Sequence, residues 1–446
     1  MLELPTRTLA DACAAATGSL QRALQWEQLR LARAAQQSAW ELARTEAFVE
    51  HFAKALATLR APRHVDPADR VLWDTLQQAR FEYLALTEPG GLHAQIEQQW
   101  RWATALPDLT ERHSAAAVGW ADAAAAIAAA DGVAASARYR EVPITLRPQP
   151  GLVPIGKNPA TGLWEFYDLR SAVDRADPEV ARQLAIPRHR PDGGLDLGPD
   201  AGIVFVLVPG GETTIGAQSD DPQGLHYDPE AGGAEPVRSG PVSPYLLARH
   251  ELTQAQWVRL DPAGSEFRSR ERNPSAYREG VFGAGTWFTG RNPVESVSWR
   301  AATARLAAHG LRLPTEWEWE RACRAGSDLP YGPAGTVDSL AGCENLLDQS
   351  TTAFASWRGV RAPFDDGHML HAPVGSFQAN AFGMFDMRGN VAEACSDLFA
   401  PASEFVVARG GRCSETVSEA RASARVGTRP DSTGFVLGVR AARTVR

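Results

Sequence analysis

The chain has 446 residues, 44% hydrophobic and 22% charged, the composition of a globular protein and too long for one compact core, so two or three domains are expected. A net charge of −8 argues against nucleic acid as a main partner, and no apolar run reaches the length of a membrane span. Five cysteines, odd in number, widely spaced and without a Cys-x-x-Cys pair, argue against a disulfide framework or a zinc site.

The N-terminal residues lack a basic start followed by an apolar stretch, so no signal peptide is expected and a reducing cytoplasm is the simplest compartment. Residues 1–135 read as a helical domain. Leu9 to Leu59 carries apolar residues at helical spacing up to Pro62, a second helix fits Asp66–Leu86 before Pro89-Gly90-Gly91, and two more fit Leu92–Ala105 and the alanine-rich Ser114–Ala130. Residues 136–200 form a connecting region of proline, glycine and short β-type runs: Val142–Leu146, Leu152–Ile155 and Leu163–Tyr167. Gly156-Lys157-Asn158-Pro159 lacks the first glycine and the hydroxyl residue of a phosphate loop, and the proline removes a backbone donor.

From residue 201 to 446 short strands and long loops alternate with a few helices. Ile203–Val208 is an apolar strand. Thr253-Gln-Ala-Gln256 and Thr315-Glu-Trp-Glu318 are capping boxes, and Ser298 caps a helix over Trp299–His309. The chain then closes on a rigid frame, Arg409-Gly410-Gly411, Arg421, Arg425, Pro430 and Gly438-x-Arg440, with small and polar residues between.

Taken in order, Val208–Gly216, Arg249–Trp257, Asn292–Trp299, Arg312–Glu320, Ala372–Phe377, Asn380–Val391 and the terminal frame resemble the formylglycine-generating-enzyme/sulfatase-modifying-factor family. The resemblance implies an α+β, C-type-lectin-like fold rich in loops. The stretch before it, with Gly151–Gly156 and Gly162–Phe166, resembles the linker that joins such a domain to a kinase in bacterial Ser/Thr kinases, although no kinase motif is present.

The resemblance also implies copper-assisted thiol oxidation by two cysteines five residues apart after the Gly-Gly pair. Those positions hold Glu415 and Ala420, and Cys413 stands alone, so copper is not expected. A related branch, the sulfoxide synthases, holds iron on a His-x-x-x-His-x-Glu helix. His51, His64, His93 and His113 do not have that spacing, so iron is not expected either. An oxidoreductase of this type with altered chemistry is the alternative reading.

For calcium, the resemblance implies two sets of oxygen ligands: Asp386 and Glu393 with the carbonyls of Gly389 and Val391, and Asn345 and Asp366 with the carbonyls of Leu346 and His368. Two aromatic positions of the family motif hold Ala392 and Ala394 instead, which opens space or changes the local core.

The end of the chain also resembles the variable proteins of diversity-generating retroelements, in which Asn codons become NNY while the frame stays fixed. Arg412 stands where the family has serine. Cys413, Ser414, Thr416, Val426, Thr428, Ser432, Thr433, Gly434, Phe435 and Val436 fit that code; Glu415 and Glu419 do not and are expected to be fixed. With Arg412, these residues are the candidate ligand-binding set, in a non-catalytic binding and display protein whose ligand is a protein or other macromolecule. The helical region is expected to mediate partner binding or oligomerisation. An alternative is that Phe435 and Val436 form a last core strand.

Overall fold

The computed structural model describes residues 92–128, 139–173 apart from 140 and 143, 177–261, 272–278, 288–353 apart from 333, 359–433 and 437–445. The expected helices over Leu9–Leu59 and Asp66–Leu86, and Gly434–Val436, lie outside the described residues.

The expected helices at Leu92–Ala105 and Ser114–Ala130 are divided differently. Helix α1 spans Leu92–Ala116 and runs through Pro107, and the break falls before α2, Trp120–Ala128. Pro107 supplies no N–H, but the turn beyond it is held by Thr110, whose hydroxyl donates to the Leu106 carbonyl at 2.6 Å.

Two strands of the connecting region, β1 (Leu152–Lys157) and β2 (Trp164–Asp168), pair antiparallel. The run Val142–Leu146 forms no strand among its described residues; Pro148 and Pro150 follow it, and proline adds no donor to a ladder. Strand β2 pairs with β3 (Val204–Val208), β3 with β6 (Tyr245–Ala248), and β6 with the C-terminal β11 (Ala442–Thr444). This five-stranded sheet, ordered β1-β2-β3-β6-β11, is antiparallel throughout. All five residues of β3 are buried because both faces of the sheet are covered. One face, with Val153, Tyr167 and Val204, packs on Trp102, Leu106 and Leu109 of α1. The other, with Phe166, Phe205 and Leu246, joins the main core.

A second sheet, ordered β10-β7-β8-β9, contains β7 (Ala392–Leu398), β8 (Val406–Arg409), β9 (Arg425–Thr428) and β10 (Leu437–Gly438). Strand β10 runs parallel to β7, and the other pairs are antiparallel. Strands β4 (Gly211–Ile215) and β5 (Arg238–Val242) form a separate ribbon. A short helix, α3 (Pro178–Arg182), lies under α1, where the His113 imidazole bonds the Ala181 carbonyl at 2.8 Å.

Helices α4 (Gln254–Arg259) and α6 (Glu316–Arg324) begin at complete capping boxes on Thr253 and Thr315, and α5 (Trp299–Ala308) at a Ser298 cap. Helix α6 is the keystone of the loop-rich half. Trp319 and Ala322 are in the core, and its three glutamates each pair with at least one arginine. Glu316 meets Arg425 at 2.6 Å, Glu318 meets Arg312 at 2.6 Å, and Glu320 meets Arg324 at 2.8 Å and also Arg409.

Candidate functional site

The terminal frame is fixed by buried arginines, each of which finds an acid from elsewhere in the chain. Arg409 bonds Glu320, donates to the carbonyls of Ser423 (2.6 Å) and Ala424 (2.8 Å), and lies 5.0 Å from the Trp319 ring centroid. Arg421 donates to Asp228 (2.8 Å) and to both oxygens of Glu235 (2.9 and 2.8 Å). Arg440 holds Glu393 at 2.9, 2.8 and 2.5 Å and donates to the Ala248 carbonyl at 3.1 Å. Gly411 turns the chain at φ 70°, and a Cβ there would stand 2.8 Å from the Glu419 carbonyl oxygen, so the corner tolerates only glycine.

Between this corner and β7, β9 and β10 lies a cavity of about 170 Å³. Ala392 contributes to its lining, so the small side chain at a position where the family motif has tryptophan does leave space. Four of the candidate ligand-binding residues, Arg412, Val426, Thr428 and Ser432, line this cavity together with Glu415, Glu419 and Leu437. Val426 is exposed, Arg412, Thr428 and Ser432 half-buried. Arg412 and Glu415 form an ion pair of 2.9 Å. Burial pushes the Glu415 carboxyl up from its ordinary range, and Arg412 pulls it back.

Others of that set are placed elsewhere. Ser414 and Thr416 are half-buried outside the cavity lining, with Thr416 bonded to the Ser418 hydroxyl at 2.7 Å; Thr433 is exposed. Cys413 is a correction: it is fully buried against Val391, and so is not presented to a ligand, and burial pushes its thiol far up. Glu415 and Glu419, the residues outside the codon pattern, also line the cavity. Glu415 precedes a short 3-10 turn, Val417–Ala420, and Glu419 lies within it, and no local sequence signal marks the two as neighbours.

The two calcium sets differ in how they fit an ion. In the first, Glu393 is committed: Arg440 holds both of its oxygens and the Trp319 indole donates to one at 2.7 Å. Asp386 accepts the Gly375 N–H at 2.8 Å through one oxygen, while its other oxygen is buried without a partner, and burial raises its pKa to about 6. A carboxylate neutralised by a guanidinium is a poor cation ligand, so this set does not fit as arranged. In the second, Asn345 Oδ1 is buried without a hydrogen-bond partner, and Asp366 accepts from the Leu346 and His368 N–H groups at 2.9 and 2.8 Å. The His368 carbonyl accepts the Ser350 hydroxyl at 2.8 Å. Burial raises Asp366 to about 7, and the nearby carboxylates of Asp348 and Asp365 push the same way. A hard cation would satisfy both the orphaned amide oxygen and this carboxylate, so the second set fits. Gly389 stands beside it: a Cβ there would fall 1.9 Å from the Asn345 carbonyl oxygen.

Loop-borne pocket residues held by buried ion pairs, on a loop-rich α+β scaffold, define a family by its frame rather than by its surface. Residues 201–445 match the sulfatase-modifying factor enzyme 1-like domain, and the chain belongs to that family. Among its relatives is the formylglycine-generating enzyme of Thermomonospora curvata, 29% identical over 228 residues, or 43% of this chain and 71% of that one. Another is the inactive C-alpha-formylglycine-generating enzyme 2 of Mus musculus, 28% identical over 56% of this chain and 88% of that one. A solved structure, Treponema denticola variable protein 1, superposes with a TM-score of 0.43 at 19% identity, covering 55% of this chain and 96% of that one. Among the described residues, no helix is long and apolar enough to cross a membrane.

Proposed function

We propose that this chain is a non-catalytic binding and display protein whose C-terminal segment is diversified and whose ligand is a protein or other macromolecule. The observation that carries this reading is the division of labour in that segment. Residues that fit single-codon randomisation, Val426, Thr428 and Ser432, line one cavity, while Arg409, Arg421 and Arg440 are buried and bonded to distant acids. A cavity of about 170 Å³ is small beside the roughly 300–1,000 Å³ of small-molecule sites and suits one side chain inserted by a partner. The positions assigned to copper-binding thiols hold Glu415 and the fully buried Ala420, and the neighbouring Cys413 thiol is inaccessible, which favours recognition over thiol oxidation. Relatives named both as formylglycine-generating enzymes and as inactive forms are compatible with a member that binds without turning over. In this reading α1 and α2 anchor the N-terminal region that attaches the domain to a partner or a second copy. The free Cys323, Cys343, Cys395 and Cys413 suit a reducing cytoplasm. Calcium is held by Asn345, Asp366 and the carbonyls of Leu346 and His368, where it supplies loop rigidity rather than chemistry.

Sequencing the 3′ end of the gene across isolates tests diversification. Substitutions should fall at positions 413, 414, 416, 426, 428 and 432–436 and spare the frame, whereas uniform identity would sink the idea. Copper-dependent oxygen uptake with a cysteine-containing peptide would overturn the non-catalytic reading. For calcium, millimolar Ca²⁺ should raise the melting temperature of the chain but not of Asn345→Ala.

A further inference from the structure

The charged groups of the cavity are unequal. Among the described residues that line it, the positive groups are Arg409 and Arg412 and the negative ones Glu415 and Glu419. Arg409 is fully buried, and its charge is met by Glu320 and by Glu316 at 3.7 Å, so it contributes little to the cavity. That leaves one guanidinium, Arg412, for two carboxylates. The remaining lining is apolar or small, with Ala392, Ala408, Ala424, Val426 and Leu437, apart from the hydroxyls of Thr428 and Ser432. This is a slot of mixed polar and apolar walls with a net negative mouth, and Arg412 already lays a guanidinium against Glu415 at 2.9 Å. Apolar walls take the methylene stem of such a side chain while the acids take its head.

We infer that the cavity receives the guanidinium side chain of an arginine presented by a partner protein, with Glu415 and Glu419 as its acceptors and Arg412 as the resident occupant that the incoming group displaces. The inference rests on the binding reading above and adds the chemistry of the ligand. Glu415 and Glu419 are also the two positions that the codon pattern leaves fixed, so the charge preference would persist while the rim around it changes.

The test uses the full chain and three blocked amino acids: N-acetyl-arginine amide, N-acetyl-leucine amide and N-acetyl-glutamate amide. Methyl resonances of Val426 and Leu437 report occupancy, and unfolding midpoints confirm that the variants keep the fold. The arginine amide should shift both methyls, and its affinity should fall about fivefold in Glu415→Gln and in Glu419→Gln. In Arg412→Ala, which frees Glu415, affinity should rise by a similar factor. Loss of arginine-amide binding in Arg412→Ala, or indifference to both glutamine variants, overturns the inference. Binding of the leucine or glutamate amide without the arginine amide also overturns it but leaves the cavity as a binding site. No shift with any probe removes the cavity reading as well.

Discussion

Arg440 and Glu393 sit where no solvent reaches either of them, joined by three contacts of 2.9 Å or less. The pair also closes a circuit through the Trp319 indole, so Glu393 is satisfied on both oxygens. Removing one member of such a pair strands the other charge. Arg440→Met is therefore expected to destabilise the fold by about 3–5 kcal/mol, read from urea unfolding followed by tryptophan fluorescence. A change below about 1 kcal/mol would show that the pair is solvated. His309 gives a pH prediction at the same scale. It ends α5 and bonds the Leu260 carbonyl at 2.7 Å; burial, with Arg170 nearby, depresses its pKa from 6.5 to about 4. The folded state thus prefers the neutral ring. That preference stabilises the fold fully above pH 6.5 and is lost as pH falls toward 4. The stability advantage of the native chain over His309→Gln should be present at pH 7.5 and shrink by pH 4.5, and a constant difference would contradict it.

Among elements, those set by local chemistry were legible and those set by distant pairing were not. The capping boxes at Thr253 and Thr315 each announce a helix within four residues, and both helices begin where the boxes place them. The Ser298 helix does the same. Thr315→Ala should cost α6 about 1 kcal/mol in a urea titration, because it leaves the Glu318 N–H without its acceptor. By contrast, nothing within Leu163–Tyr167 says that it pairs with Val204–Val208, some forty residues on, since strand partnership is a long-range choice. The same limit governs the site. The frame arginines are conspicuous in sequence, but Asp228, Glu235 and Glu320, which hold them, carry no local mark. The helix expected to end at Ala105 instead continues through Pro107, with Trp102, Leu106 and Leu109 packed on the sheet on either side of the proline. In the candidate site, Ala392 was legible as vacated space, whereas the burial of Cys413 depended on Val391 folding over it.

At the scale of the whole molecule, the connecting region and the family domain share one sheet. Strand β3 has β2 on one side and β6 on the other. Further ties reinforce this: the Tyr139 hydroxyl donates to the Leu207 carbonyl at 2.8 Å, and Arg443 to Gln149 at 2.7 Å. A fragment beginning at residue 201, although it contains the whole family match, would expose a fully apolar edge at β3. It is expected to aggregate on expression, whereas a fragment beginning at residue 92 should remain soluble, as gel filtration of the two would reveal. Equal behaviour would mean that the family domain is self-sufficient.

The carboxylates that hold the frame arginines, Asp228, Glu235, Glu320 and Glu393, all precede the segment that the arginines belong to. Substitutions confined to the surface of the last forty residues would thus leave these four carboxylates in place. On the proposed reading, each variant would inherit the same anchored frame and differ only in the side chains it presents. Separating the anchors from the segment they hold in this way would lower the share of variants that fail to fold, so the folding cost of changing the surface would stay small.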